Sequence, residues 1–220
     1  FDEIFSVHAA TQPWNNFFQF LALDLIHPPL FYIFLKIWIA IGGESLLWLR
    51  LFPVVFSIVA LIPFIGICRE LALKNSTTII ALLLFTVNGS LIKYAQEVRM
   101  YSMFLAFSLL SIWLFLRWMM AGKSYFLLIL VNILLVHTHY FGWLVVGSEI
   151  VAILLFYRDK LRQGLLIIGI TLASFVPWMI AVFDAASSGS SVAQNIGWIE
   201  RPGVRAIFTF LFDLIEPFYF

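Results

Sequence analysis

Long apolar runs separated by short polar connections constrain the fold of this chain more than any other feature. Crossing the hydrocarbon core of a membrane takes about 20 helical residues, and the runs have that length or approach it. Because lipid offers no hydrogen bonds to a bare backbone, a spanning segment must be a helix or part of a closed barrel, and these runs lack the alternation of barrel strands. The sequence therefore predicts an all-α fold, a polytopic bundle of transmembrane helices. Six spans are expected in a transmembrane region 45–183, at 45–68, 77–92, 100–116, 125–136, 141–157 and 163–183.

Composition agrees with lipid as the solvent. The 220 residues are 63% hydrophobic and 11% charged, which is too much apolar surface for one aqueous core. The net charge is +1 and the basic residues are scattered, so no nucleic-acid partner is expected. Cys68 is the single cysteine and cannot form an internal disulfide.

Residues 1–44 are expected to form an external loop with interfacial helices. The segment 29–41 would make a helix of about 20 Å against a core of about 30 Å, and Lys36 lies in its middle. Aromatic and amide side chains mix over 14–20, as in a helix lying in the membrane interface. We also expect an external loop at 184–203 and the start of a further interfacial or transmembrane helix at 204–220. The acidic start and apolar end predict the N-terminal part of one module that extends in both directions.

The distribution of charge predicts the orientation. If 29–41 stays on one side, one face collects most of the basic residues in short connections: Arg69, Lys74, Arg117, Lys123, Arg158, Lys160 and Arg162. The positive-inside rule makes that face cytoplasmic. The other face then collects polar residues near helix ends: Asp2, Glu3, His8, Asp24, His27, Arg50, Lys93, Gln96, Glu97, Arg99, His137 and His139. We therefore expect a multi-pass protein of the cell membrane with a site on its extracytoplasmic face.

Acids and bases gathered at one membrane face suggest a function, because each charge costs about 2.5–3.5 kcal/mol at a helix centre. A carboxylate can take a proton from a hydroxyl, and a guanidinium can stabilise a departing phosphate. Simpler explanations remain open for each group. Loop acids are usually solvated, Arg50 can snorkel to headgroups, Arg99 can form a structural ion pair with Glu97, and His137 and His139 can be interface histidines or metal ligands. These residues alone do not choose a substrate.

Five strings in order closely resemble the bacterial family 39 glycosyltransferases, relatives of protein O-mannosyltransferases and lipid A aminoarabinose transferases. The strings are FDEIFS at 1–6, HPPLFY at 27–32 preceded by Asp24, LRLFP at 49–53, YAQEVRMYS at 94–102 and HTHYFG at 137–142. Trp198-Ile199 ahead of Pro202 is a weaker match.

The resemblance implies a GT-C fold with juxtamembrane helices in the first external loop. It also implies a sugar donor linked to polyprenyl phosphate and inversion at the anomeric carbon, with no cofactor or divalent metal required. Position by position, Asp2 is the expected catalytic base and Glu3 its partner, while Arg50 and Arg99 are expected to contact the donor phosphate. Further candidates match family motifs without an assigned role: Asp24, His27, Gln96, Glu97, His137 and His139. Expected partners are membrane lipid, the polyprenyl-phosphate sugar and an acceptor protein, glycan or lipid, in a bacterial plasma membrane.

Two other functions are compatible with a bundle of apolar helices. A transporter or lipid flippase would line a pathway across the bilayer with its charged residues. Here the charges lie at helix ends, and no paired broken helices are visible in the sequence. A non-catalytic lipid-binding subunit is the third possibility.

Overall fold

The computed structural model describes residues 2–24, 27–122 and 125–188, together with 203, 205, 206, 208 and 209. This part of the chain is helical and contains no strand, which confirms the all-α prediction. Its helices are α1 (Asp2–Thr11), α2 (Trp14–Asp24), α3 (Leu30–Gly42), α4 (Leu46–Glu70), α5 (Asn75–Thr86), α6 (Gly89–Gln96), α7 (Tyr101–Ala121), α8 (Tyr125–Thr138), α9 (Gly142–Phe156) and α10 (Leu161–Ser187). One turn of 3-10 helix, Arg158–Lys160, leads into α10.

Three helical segments are long and apolar enough to cross a membrane: Leu46–Glu70, Tyr101–Ala121 and Arg158–Ser187. The helices α8 and α9 have only 14 and 15 residues and fall short of that length. The helix α10 continues through 184–187, so the predicted external loop begins later than 184. The rest of that loop, Trp198-Ile199 included, and nearly all of 204–220 lie outside the described residues.

The span predicted at 77–92 is not one continuous helix. It divides into α5 and α6, which meet at an angle of 53°. The Asn88 side-chain oxygen accepts the Leu91 N–H at 3.0 Å and so caps the start of α6. An asparagine that satisfies a free backbone donor in this way favours a new helix over continuation of the old one. The segment predicted as a span is therefore bent near its middle.

Two small-residue contacts fix α4 against α7. The Ser57 hydroxyl lies 3.0 Å from that of Ser102, which donates to the Tyr94 carbonyl at 2.9 Å. This chain of hydroxyl groups joins α4, α6 and α7 beside the segment 97–100. Farther along, Gly66 lies so close to the Trp113 indole that a Cβ there would overlap the ring. The two helices therefore approach closely at both points.

Lysine and tryptophan join the short helix α3 to the end of α1 and to α4. The Lys36 ammonium donates to the carbonyls of Ala10 and Gln12 at the end of α1, which explains a cation in the middle of apolar α3. Trp38 and Trp48 stack with ring centroids 4.4 Å apart. Each indole N–H donates to the other residue's carbonyl at 2.8 Å.

A buried polar ring joins α7, α8 and α9 through Ser111, Asn132 and Glu149, all nearly inaccessible to solvent. Ser111 Oγ lies 2.5 Å from Asn132 Oδ1 and 2.6 Å from Glu149 Oε1, while Asn132 Nδ2 donates to Glu149 Oε2 at 2.7 Å. A serine has one hydroxyl hydrogen and cannot donate to both neighbours. A carboxyl group that carries a proton completes the ring, because it donates to the serine, which donates to the asparagine.

We predict that Glu149→Gln preserves stability and that Glu149→Leu lowers it. Glutamine can donate an amide hydrogen to Ser111 and accept one from Asn132, whereas leucine keeps only the bond between Ser111 and Asn132 and leaves the buried Asn132 Nδ2 without its acceptor, at a cost of about 1–3 kcal/mol. Thermal unfolding in detergent measures the difference. Equal destabilisation by both substitutions would show that the negative charge, and not the hydrogen-bonded ring, is what the structure needs.

Candidate functional site

The acidic pair Asp2-Glu3 forms the first turn of α1, where the positive end of the helix dipole favours carboxylates. The Asp2 side chain is 67% exposed. That of Glu3 is 36% exposed and is more firmly held. Glu3 accepts the Val98 backbone N–H at 2.8 Å and lies 3.8 Å from the Arg50 guanidinium of α4. Glu3 therefore fixes α1 to two other elements, while Asp2 faces outward.

Arg99 is the buried cation of the site, with 8% of its side chain exposed. It lies in the connection between α6 and α7, where its backbone N–H donates to the Glu97 carbonyl at 2.7 Å. Its neighbours Val98 and Met100 are buried. Its Nη1 atom lies 3.6 Å from Asp2 Oδ2 and donates to the Asp2 carbonyl at 3.4 Å. Its Nε atom is buried and has no partner among the residues that the structure describes. An anion would supply the missing acceptor.

His139 follows α8 and lies among aromatic rings. Its ring centroid is 6.2 Å from Tyr101, 5.2 Å from Phe104 and 4.9 Å from Phe141. Burial, together with the nearby charges of His27 and Arg99, lowers the pKa of His139 from its ordinary 6.5 to about 4, and burial is the largest of these causes.

The hydrogen bonds of His139 agree with a neutral ring. Its Nδ1 accepts the Phe141 N–H at 3.1 Å, so the ring proton belongs on Nε2. His139 therefore offers an uncharged N–H donor near Arg99.

The structure brings together six of the predicted site residues: Asp2, Glu3, Arg50, Arg99, His27 and His139. We call these six the charged cluster. The other four candidates have different surroundings. Gln96 ends α6 and is exposed, and Glu97 is half-buried beside it. The side chain of Asp24, at the end of α2, lies outside the described part of the structure.

His137 points to other neighbours than His139, because it lies in the last turn of α8 and His139 lies beyond the end of that helix. Its Nδ1 lies 2.9 Å from the Ile133 carbonyl of its own helix, and its ring packs on Phe175 of α10 at 5.0 Å. No group of three or more metal-ligating side chains occurs among the residues described.

Two features of the site were missed by sequence reasoning. The Val98 N–H that binds Glu3 is a backbone donor, and no residue type signals it. The sequence indicates in part the aromatic wall of Tyr101, Phe104 and Phe141. Each of these rings lies within six residues of Arg99 or His139 in the sequence. The arrangement as a whole can accept a proton at Asp2 and bind an anion at Arg99 and Arg50.

Comparison with models of protein families, with curated proteins and with solved structures gave no match.

We predict that the protein loses stability as the pH falls from about 6.5 to about 4, in part through His139. Over that window the unfolded chain binds a proton at this position and the folded chain does not, so acid favours unfolding. Thermal unfolding at several pH values should show a weaker pH dependence for His139→Gln than for the unsubstituted protein. The control is His8→Gln, at an exposed histidine of α1. An identical pH profile for His139→Gln would contradict this account of the site.

Proposed function

We propose that this protein is a membrane glycosyltransferase with a GT-C-like bundle. It would transfer a sugar from a polyprenyl-phosphate donor to an acceptor hydroxyl on the extracytoplasmic face of the cell membrane. The five strings that resemble family 39 support the assignment. So do the helices long and apolar enough to cross a membrane and the meeting of acids and arginines from distant parts of the sequence.

A single observation carries the proposal: an exposed carboxylate, Asp2, lies 3.6 Å from an almost fully buried guanidinium, Arg99. The exposed carboxylate can reach an incoming hydroxyl, and the buried guanidinium has its Nε–H to spare for an anion. Proton removal from the acceptor and stabilisation of a departing phosphate need a carboxylate and a guanidinium in the same site.

The reaction that fits is a direct displacement at the anomeric carbon. The acceptor oxygen attacks as its proton passes to Asp2, and the bond between the sugar and the phosphate oxygen breaks. Polyprenyl phosphate leaves with the electron pair, and the new glycosidic bond has inverted configuration. No general acid is needed, because the leaving group is already a stabilised anion that requires only positive charge, here from Arg99 and Arg50.

Glu3 and His139 have supporting roles in this proposal. Glu3 holds the start of α1 against Val98 and Arg50, which orients Asp2. A neutral His139 can donate its Nε2 hydrogen to a phosphate or sugar oxygen without adding charge.

A transporter or lipid flippase is the second candidate, and the bend between α5 and α6 is the observation that favours it. Transporter sites are often built from broken helices in two related halves. The described residues contain one such break, and the polar side chains of Ser111, Asn132 and Glu149 bond to one another inside the bundle. A radiolabelled polyprenyl-phosphate sugar separates the two functions, since a transferase links the label covalently to an acceptor.

We predict that Asp2→Asn lowers transfer by about 10²–10⁴-fold and leaves donor binding largely intact. The amide keeps the shape of the side chain but cannot accept the proton of the acceptor. Turnover and donor affinity are measured separately with the labelled donor. Asp159→Asn, at an exposed acid beyond the far end of α9, is the matched control. Near-normal turnover of purified Asp2→Asn protein would remove Asp2 from the mechanism and make Asp24 the next carboxylate to test.

We predict a different result for Arg50→Ala, with loss of both donor affinity and turnover. Its contact with the donor phosphate would exist in the ground state and strengthen as the phosphate departs. Arg158→Ala, which removes an exposed arginine next to α10, should change neither quantity. Unchanged donor affinity in Arg50→Ala would exclude Arg50 as a phosphate contact.

A further inference from the structure

A groove lies between α4 and α7 at the end of these helices that is farther from the charged cluster. Both helices start beside that cluster, near Arg50 and Arg99, and both end at this groove, near Glu70 and Arg117. It has a volume of about 440 Å³. Its lining combines charged, aromatic and apolar side chains: Arg69, Glu70, Arg117, Trp113, Ile62 and Ile65.

The groove carries one positive charge in excess. Arg117 Nε lies 3.7 Å from Glu70 Oε1, so these two charges balance each other. Arg69 is exposed, and its side chain makes no ion pair or hydrogen bond with any residue that the structure describes. A ligand group with a single negative charge, such as a phosphodiester, would neutralise the groove.

Trp113 adds a hydrogen-bond donor. Its Nε1 atom is buried and has no partner in the described part of the chain. The indole is held in place because it lies against Gly66 on one side, and the Arg117 guanidinium carbon is 5.4 Å from its ring centroid. A buried indole N–H usually finds an acceptor, and a phosphate oxygen in the groove would supply one.

We propose that the α4–α7 groove binds the headgroup of an anionic phospholipid. The phosphodiester contacts Arg69 and Arg117, and an acyl chain lies along the apolar wall of α4, where Ile62 is 61% exposed. Basic pockets between membrane-spanning helices are known to bind anionic headgroups. A free phosphate would share the polar contacts but would gain nothing from the apolar wall. The proposal rests on the chain lying in a membrane and is independent of the glycosyltransferase function.

Arg69→Gln tests the site cleanly, because the Arg69 side chain has no hydrogen bond or ion pair with the described residues that the substitution would remove. The matched control is Arg162→Gln, which removes an exposed arginine that likewise has no hydrogen bond or ion pair with the described residues. Arg162 lies at the same end of the bundle, since the neighbouring Lys160 donates to the Trp118 and Met119 carbonyls at the end of α7, at 2.9 Å each. Both variants change the net charge equally.

The measurement is native mass spectrometry of the full chain, purified in detergent and titrated with phosphatidylglycerol or phosphatidylcholine of identical acyl chains. We expect tighter binding of phosphatidylglycerol. Arg69→Gln should weaken it about tenfold, as expected for one charge-assisted hydrogen bond, while Arg162→Gln leaves it unchanged.

Three results would overturn the proposal. The first is equal affinity for the two lipids, and the second is an equal effect of the two substitutions. The third is displacement of phosphatidylglycerol by water-soluble glycerol phosphate at equal concentration, which would assign the groove to a free phosphate ester.

Discussion

A guanidinium that is almost fully buried needs negative charge and hydrogen-bond acceptors within reach, and Arg99 obtains both from one residue. The carboxylate and the carbonyl of Asp2 lie 3.6 and 3.4 Å from its Nη1 atom. Because an uncompensated charge is costly away from water, this contact fixes where the start of α1 must lie. Glu3 reinforces the same end of α1 through the Val98 N–H, in the connection between α6 and α7, and through Arg50.

The helices long and apolar enough to cross a membrane were predictable, because an apolar solvent imposes a strong and continuous requirement on a sequence. The structure places α4, α7 and α10 within a few residues of the predicted spans. Hydropathy could not reveal the bend at Asn88, since α5 and α6 taken together are apolar enough for one span. The bend depends on one side-chain cap that competes with the continuing helix, and hydropathy does not measure that competition.

Within the site, charge was predictable and geometry was not. Asp2, Glu3, Arg50 and Arg99 could be assigned to one face because charges at helix ends identify the membrane boundary. Their pairing depends on a backbone donor at Val98 and on where the packing of α1 against α3 places its first turn, which no sequence pattern records. The two histidines of the HTHYFG string illustrate the limit. Neighbours in sequence, they contact different helices, and only His139 joins the charged cluster.

The Trp38–Trp48 pair has a mechanical consequence. Glu3 of α1 pairs with Arg50 of α4, which is two residues from Trp48. Trp48 stacks on Trp38 of α3, and Lys36 of α3 donates to the end of α1. These contacts form a closed loop through three helices, so neither end of α1 can swing without straining the opposite link. Motion of α1 relative to α3 and α4 is therefore restricted. A reactant entering beside Asp2 would meet groups already in place, and little of its binding energy would be lost to reorganising them.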